Sequence, residues 1–157
     1  MDKKYIYFAN DHAGYEYKDQ IINHLKNKGY EVVDLGANQE DGSVNYPDYA
    51  FAVSKKVVEK ETNQNQPVGI LVCGTGIGMS MAASKVANSR VALVYDDISA
   101  TLAKEHNNAN VISLGARTKS LDQILSMLDH FLEAKFAGDR HQKRIDLISE
   151  YEQKHKK

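Results

Sequence analysis

Gly69-Ile70-Leu71-Val72-Cys73-Gly74-Thr75-Gly76-Ile77-Gly78-Met79-Ser80-Met81-Ala82-Ala83 is the stretch whose reading decides the fold. Together with Val68, its first part is a short apolar run rich in β-branched residues, which reads as a strand covered on both faces. Gly69 leaves room for another element to approach that strand closely. Gly74, Gly76 and Gly78 then turn the chain with almost no side chains in front of the backbone, and a helix of small residues opens near Ile77. Its unpaired N–H groups and positive dipole end point at the same spot as the turn. The stretch therefore sets a thiol, Cys73, beside an anion-binding turn.

Outward from this centre, strand and helix patterns alternate. Upstream, residues 5–9 form an apolar strand followed by the polar turn Asn10-Asp11-His12-Ala13-Gly14. Tyr17, Ile21, Ile22 and Leu25 make a helical stripe with Gly29 placed to cap it, and residues 31–36 read as a second strand. A polar loop leads to Pro47 in the first turn of a helix carrying Ala50, Val53, Val57 and Val58. Downstream, residues 90–95 and 111–115 are expected as the fourth and fifth strands, with a helix over 99–105 between them. Apolar residues at 121, 124, 125, 128, 131 and 132 mark the clearest amphipathic helix, and Gly138-Asp139 ends it. A charged helix follows over 140–157, with a narrow stripe of Ile145, Leu147, Ile148 and Tyr151 that is too small for the core and suits docking on a partner surface. Five alternations predict a three-layer α/β/α, Rossmann-like fold around a five-stranded parallel sheet, with ligands beyond the carboxyl ends of the strands. Asp11-His12, residues 73–78, Asp96-Asp97 and Arg117 all fall at such ends. His106 and Asn107 precede the fifth strand and belong to the opposite edge, a mismatch that points to an oligomeric site.

Composition narrows the classes. A chain of 157 residues accommodates one domain with a full core, here taken as 1–157 with 139–157 as a helical extension. A formal net charge of −1 gives no general attraction to nucleic acid or to an anionic membrane. No apolar run approaches the ~20 residues needed to span a bilayer, and Met1-Asp2-Lys3-Lys4 leads straight into the first strand, so the cytoplasm is the expected compartment. One cysteine and six scattered histidines lack the paired spacings of a structural zinc site.

The glycine turn itself fits none of the common nucleotide motifs. Gly74, Gly76 and Gly78 are spaced G-x-G-x-G, not G-x-G-x-x-G, and follow the third strand; Gly78 precedes Met79-Ser80, not Lys-Ser/Thr. A cysteine phosphatase would close its loop with arginine where Met79 stands. What remains is a thiol able to take a proton from carbon or attack a carbonyl, beside donors for a developing oxyanion, or else a cysteine that only fills the core. Thr75 could donate to a substrate oxygen or simply complete the turn. Arg140 and Arg144 are i,i+4 helix neighbours that can converge on a phosphate dianion, or form a solvated basic helix end. Asp11 could orient His12 or a sugar hydroxyl, or cap its turn. His24, His130 and His155 read as surface residues.

These residues together carry a resemblance. Asn10-Asp11-His12-Ala13-Gly14, Asp34-Leu35-Gly36, Tyr46-Pro47-Asp48-Tyr49-Ala50, Cys73-Gly74-Thr75-Gly76-Ile77-Gly78, the run from Lys104 through His106-Asn107-Asn108-Ala109-Asn110 to Val111, Leu114-Gly115-Ala116-Arg117 and Arg140-His141-Gln142-Lys143-Arg144 resemble, in order and spacing, the type B ribose-5-phosphate isomerases. The wider family includes galactose-6-phosphate and allose-6-phosphate isomerases. The resemblance implies a sheet with the first strand beside the third, and interconversion of ribose 5-phosphate and ribulose 5-phosphate through a cis-enediolate, without metal or other cofactor. It implies Cys73 as the base, with the backbone at Gly74, Gly76, Ile77 and Gly78 holding the enediolate oxygen. Thr75 and Asp11 match positions that handle hydroxyl and ring-oxygen protons, His106 matches the ring-opening histidine, and Asn107 lies near the enediolate. His12, Arg117, Arg140 and Arg144 match the phosphate set and Tyr46 a pocket wall, while His141 carries no assigned role. The family site is shared between subunits, which implies a homodimer or homotetramer acting on a phosphorylated sugar. A six-carbon sugar phosphate as substrate, and a non-catalytic sugar-phosphate sensor, are the alternatives; a sensor would have no need of Cys73 or His106.

Overall fold

The computed structural model describes residues 4–156, so Met1-Asp2-Lys3, which precedes the expected first strand, and Lys157, the end of the expected last helix, lie outside the described residues. In chain order the elements are β1 (Tyr5–Asn10), α1 (Lys18–Asn27), β2 (Glu31–Asp34), α2 (Tyr46–Lys60), β3 (Val68–Cys73), α3 (Ile77–Ala83), β4 (Val91–Leu93), α4 (Asp97–Glu105), β5 (Val111–Gly115), α5 (Leu121–Glu133) and α6 (Arg140–Lys154). All five strands are parallel in the order β2-β1-β3-β5-β4. The chain runs outward from β1 to β2 on one side and from β3 towards β5 and β4 on the other. The topological switch point thus falls between β1 and β3, where ligands bind in such sheets.

Alternation along the central strands builds two cores. Ile6, Phe8, Ile70, Val72, Ile112 and Leu114 face one way, onto Ile21 and Leu25 of α1 and Ile124, Leu128 and Phe131 of α5. Tyr7, Ala9, Leu71, Cys73 and Val111 face the other way, onto Val53 and Val57 of α2 and Met79 and Ala83 of α3. Gly69 serves the close approach expected of it, since a Cβ there would lie 2.7 Å from Val53 Cγ1 of α2. The Cys73 side chain therefore belongs to the α2/α3 layer, at the top of a strand fixed on both edges by β1 and β5.

The fourth strand and the junction that follows it differ from the sequence expectation. The fourth strand is three residues long, not six: Arg90 is drawn to Glu61 and the Asn108 carbonyl at one end, and Tyr95 and Asp96 donate their N–H groups to Ser99 Oγ at the other. Asp96 and Asp97, expected as a functional cluster, each have a structural partner. Asp96 Oδ1 accepts the Ser99 N–H at 2.6 Å as the N-cap of α4, and these Ser99 hydrogen bonds hold its carboxyl below the usual carboxylate range. Asp97 accepts the Ser126 hydroxyl at 2.9 Å and ties α4 to α5.

The last helix packs one side on its own chain and leaves the other exposed. Ile145 and His141 are buried against the same chain, the Ala137 N–H donates to the Glu105 carbonyl, and Glu152 accepts the Asn88 N–H at 2.9 Å. Leu147, Ile148 and Tyr151 of the expected stripe stay 56%, 65% and 67% exposed. His24, expected on the surface, is half-buried and 2.7 Å from Asp129.

Candidate active site

At the carboxyl ends of β1 and β3, three loops converge. β1 delivers Asp11, whose N–H donates to the Val72 carbonyl at 3.2 Å, one residue from Cys73. Asp11 is buried, and its Oδ1 accepts the N–H groups of Ala13 and Gly14 at 2.9 and 3.1 Å. One carboxylate oxygen thus performs the turn-capping duty and leaves the second for another partner. His12 is exposed, and its Nδ1 accepts the Val44 N–H at 3.2 Å, which leaves Nε2 as the donor nitrogen of the neutral ring.

β3 delivers Cys73, 5% exposed, whose sulfur accepts the Gly76 N–H at 3.2 Å. That hydrogen bond strengthens as negative charge builds on sulfur. It is made possible by Gly76 itself, whose φ of +79° folds the turn back onto the thiol. Thr75 is exposed and its Oγ1 accepts the Ile77 N–H at 3.2 Å, so Gly76 and Ile77 each have their N–H engaged within the turn. Gly78 lies in the first turn of α3, where an N–H has no intrahelical acceptor. The turn is braced from below by Ser113, a buried hydroxyl donating to the Gly76 carbonyl at 2.7 Å. Ser113 was not singled out from the sequence, although a polar residue between Ile112 and Leu114 in an otherwise apolar strand is a readable signal.

Two further side chains wall the turn. A Cβ at Gly78 would lie 2.5 Å from Tyr46 Cζ, and one at Gly74 would lie 3.1 Å from Arg117 Nη1. Glycine at both positions lets the phenol and the guanidinium come down onto the backbone. The Ala116 and Arg117 N–H groups donate to the carbonyls of Cys73 and Gly74, which fixes the Arg117 loop beside the thiol. Asp11, His12, Tyr46, Cys73, Thr75, the three glycines, Ile77 and Arg117 therefore share one crevice.

His106, Asn107, Arg140 and Arg144 do not reach it. Val111 pairs with Gly69 and Gly115 with Cys73, so the segment before Val111 lies at the amino ends of the strands. Five strand residues separate the two levels, about 13 Å along the strand axis. The phosphate set expected from the resemblance is thus split within one chain, with His12 and Arg117 on the crevice and both helix arginines on the opposite edge. There His106 ends α4, and its ring stacks on that of His141 at 4.1 Å between centroids and 13° between planes. Burial, His106, Arg140 and Arg144 push the His141 pKa down, against a smaller opposite pull from Asp139. Among the described residues no group of three or more His, Cys, Asp or Glu is arranged to hold a metal ion, and no helix is long and apolar enough to cross a membrane.

Comparison with known proteins places these features in context. A family model described as Ribose/Galactose Isomerase matches residues 6–148. The probable ribose-5-phosphate isomerase B of Mycoplasma genitalium is 46% identical, over 94% of this chain and 95% of its own length. Ribose-5-phosphate isomerase B of Mycobacterium tuberculosis is 39% identical, over 96% of this chain and 91% of its own. Among solved structures, the crystal structure of ribose-5-phosphate isomerase B from Mycoplasma genitalium with bound ribulose-5-phosphate superposes with a TM-score of 0.91 at 44% identity, covering 98% of this chain and 99% of that one.

Proposed function

The chain belongs to the ribose/galactose isomerase family, and on that premise we propose that it interconverts ribose 5-phosphate and ribulose 5-phosphate, with Cys73 moving the proton between C1 and C2. The observation that carries this reading is the buried Cys73 thiol, hydrogen-bonded by the Gly76 N–H at the switch point of a sheet shared with a ribulose-5-phosphate-bound relative.

Starting from the open-chain aldose, Cys73 takes the C2 proton as a thiolate, the C2–H electron pair becomes the C1–C2 double bond, and the carbonyl electrons move onto O1. First-turn N–H groups of α3, Gly78 foremost, support the negative charge at O1. The thiol then returns its proton to C1, the O2 hydroxyl gives up its proton, and O1 gains one, which leaves a ketone at C2. Asp11, with its second carboxylate oxygen, and Thr75 serve the hydroxyl protons. The Tyr46 ring limits the crevice, and His12 and Arg117 address the phosphate.

One protomer brings only half of this machinery to its own crevice. His106, Asn107, Arg140 and Arg144 stand at the other edge of the sheet, so the reading requires a second copy whose α4 end and α6 cover the crevice. The exposed Leu147, Ile148 and Tyr151 of α6 and the 65% exposed Met81 of α3 supply apolar surface for that contact. His106 from that copy would then open the sugar ring, and its arginines would complete the phosphate clamp. A cytoplasmic homodimer, or a tetramer built from it, is the assembly we infer.

Substrate length is tested by kcat/KM for ribose 5-phosphate against allose 6-phosphate and galactose 6-phosphate, with a chelator present. Ribose 5-phosphate is expected to lead by at least about tenfold, the discrimination that one extra carbon unit permits. A six-carbon substrate in first place would move the chain to the other branch of its family, and binding of all three without turnover would make it a sensor.

A further inference from the structure

Among the described residues His106 meets none of the orienting groups that acid–base histidines ordinarily have. Such a ring is usually held by a carboxylate or carbonyl hydrogen-bonded to its second nitrogen, which sets tautomer and plane. Among the described residues no hydrogen bond reaches either ring nitrogen of His106; what the structure offers is the stacked ring of His141, 4.1 Å away and nearly parallel. Its backbone is fixed as the residue that ends α4 and donates its N–H to the Leu102 carbonyl at 2.9 Å.

His141 is well placed to act as a fixed surface. It is 5% exposed, its N–H donates to the Gly138 carbonyl at 3.0 Å, and the preceding turn, with Gly138 and Asp139 at φ values of +69° and +47°, is bonded back to the end of α4 through Ala137 and Glu105. The two rings are thus attached to segments that are themselves tied together. We propose that His141 is a positioning residue for His106, its stacked ring setting the plane of the imidazole that serves the sugar ring oxygen. This rests on the isomerase reading above.

The choice of an imidazole over a carboxylate follows from its neighbours. Arg140 and Arg144 flank His141 on α6, and a carboxylate in its place would compete with the substrate phosphate for both. A neutral ring orients without subtracting from the clamp. The groups that act on His141 are His106 from α4, Arg140 and Arg144 from α6, and Asp139 from the turn; burial and the first three favour the neutral form.

The test compares His141→Ala with His141→Phe in the full-length protein. Phenylalanine keeps a flat ring for stacking and has no titratable nitrogen. Ring-proton NMR of His106 is expected to show an upfield ring-current shift in wild type and His141→Phe that is lost in His141→Ala. With ribose 5-phosphate, which must be opened, kcat is expected to fall at least about tenfold in His141→Ala, within the range that loss of alignment costs. The fall should be several-fold smaller with ribulose 5-phosphate, which cannot close a ring because its 5-hydroxyl is esterified, and His141→Phe should restore most of it. Equal losses in the two variants, or a raised KM at unchanged kcat, would overturn the proposal, the latter making His141 a phosphate contact. A wild-type protein that shows the NMR shift but no isomerase activity would instead refute the isomerase reading while leaving the stack in place.

Discussion

Replacing Cys73 with alanine is expected to lower kcat by at least about a thousandfold, as removal of the group that moves the proton between carbons commonly does. Binding of inorganic phosphate or a substrate analogue should stay within a few-fold of wild type, because His12, Arg117 and the arginines of α6 are untouched. Serine at the same position keeps the size and the hydrogen bond from Gly76, yet its hydroxyl is a far weaker proton acceptor near neutral pH, so it should be almost as inactive. The stability cost should be small for serine and modest for alanine, since the thiol is a minor part of the buried α2/α3 layer. Paired measurements of kcat by coupled assay and of phosphate affinity by calorimetry check this split. Near-normal turnover in either variant would remove Cys73 from its role and leave it as a small core residue.

The second large effect concerns the division of the site. Cys73→Ala and the double variant Arg140→Ala/Arg144→Ala should each be nearly inactive as pure proteins. Unfolded, mixed in equal amounts and refolded together, they should recover about a quarter of wild-type activity. In a two-fold symmetric dimer half of the molecules are mixed, and each mixed dimer has one site with both an intact thiol and intact arginines and one with neither. Recovery from almost nothing to that level has no explanation if each site is built within one chain. A mixture as inactive as its components, in a protein that sizing shows to be oligomeric, would mean that Arg140 and Arg144 do not serve a neighbour's crevice.

Those two experiments bear on the features that the sequence made most and least legible. The strand ending at Cys73 could be read because a run buried on both faces is apolar without alternation, and the turn because Gly74, Gly76 and Gly78 leave its backbone bare and their spacing sets aside the common nucleotide motifs. A close approach at Gly69 followed from the same logic, and the structure supplies α2 as the neighbour, with Val53 Cγ1 where a Cβ on residue 69 would be only 2.7 Å away. At Asp96-Asp97 the sequence could not tell a capping role from a functional one, because an N-capping carboxylate and a catalytic one have the same letters at the same strand-to-helix junction; the structure shows the cap. Lys18 could not be read as buried at all. Its ammonium is accommodated only because Asp34, the Ala37 carbonyl and Asn38 Oδ1 gather around it at 2.8, 3.0 and 3.1 Å, a convergence of segments that the fold alone creates.

The same holds for the second half of the site. The sequence sets His106 apart, before the fifth strand, and the structure keeps it at the amino ends of the strands, away from Cys73. Its stack on His141 was not readable, because the partners are thirty-five residues apart and meet only through the turn that bonds Ala137 to Glu105. The stripe on α6 was read as wholly external, whereas Ile145 turns inward and the remaining three apolar residues turn out. Helix periodicity marks an apolar face but does not say how that face is divided between the chain's own body and a neighbour.

The most direct test of the account is to incubate the purified protein with ribulose 5-phosphate in the presence of a chelator and follow the sugar by NMR. Appearance of the anomeric signals of ribose 5-phosphate, rising to a constant ratio and absent with Cys73→Ala, is the predicted result; unchanged ribulose 5-phosphate in the presence of folded wild-type protein would contradict it.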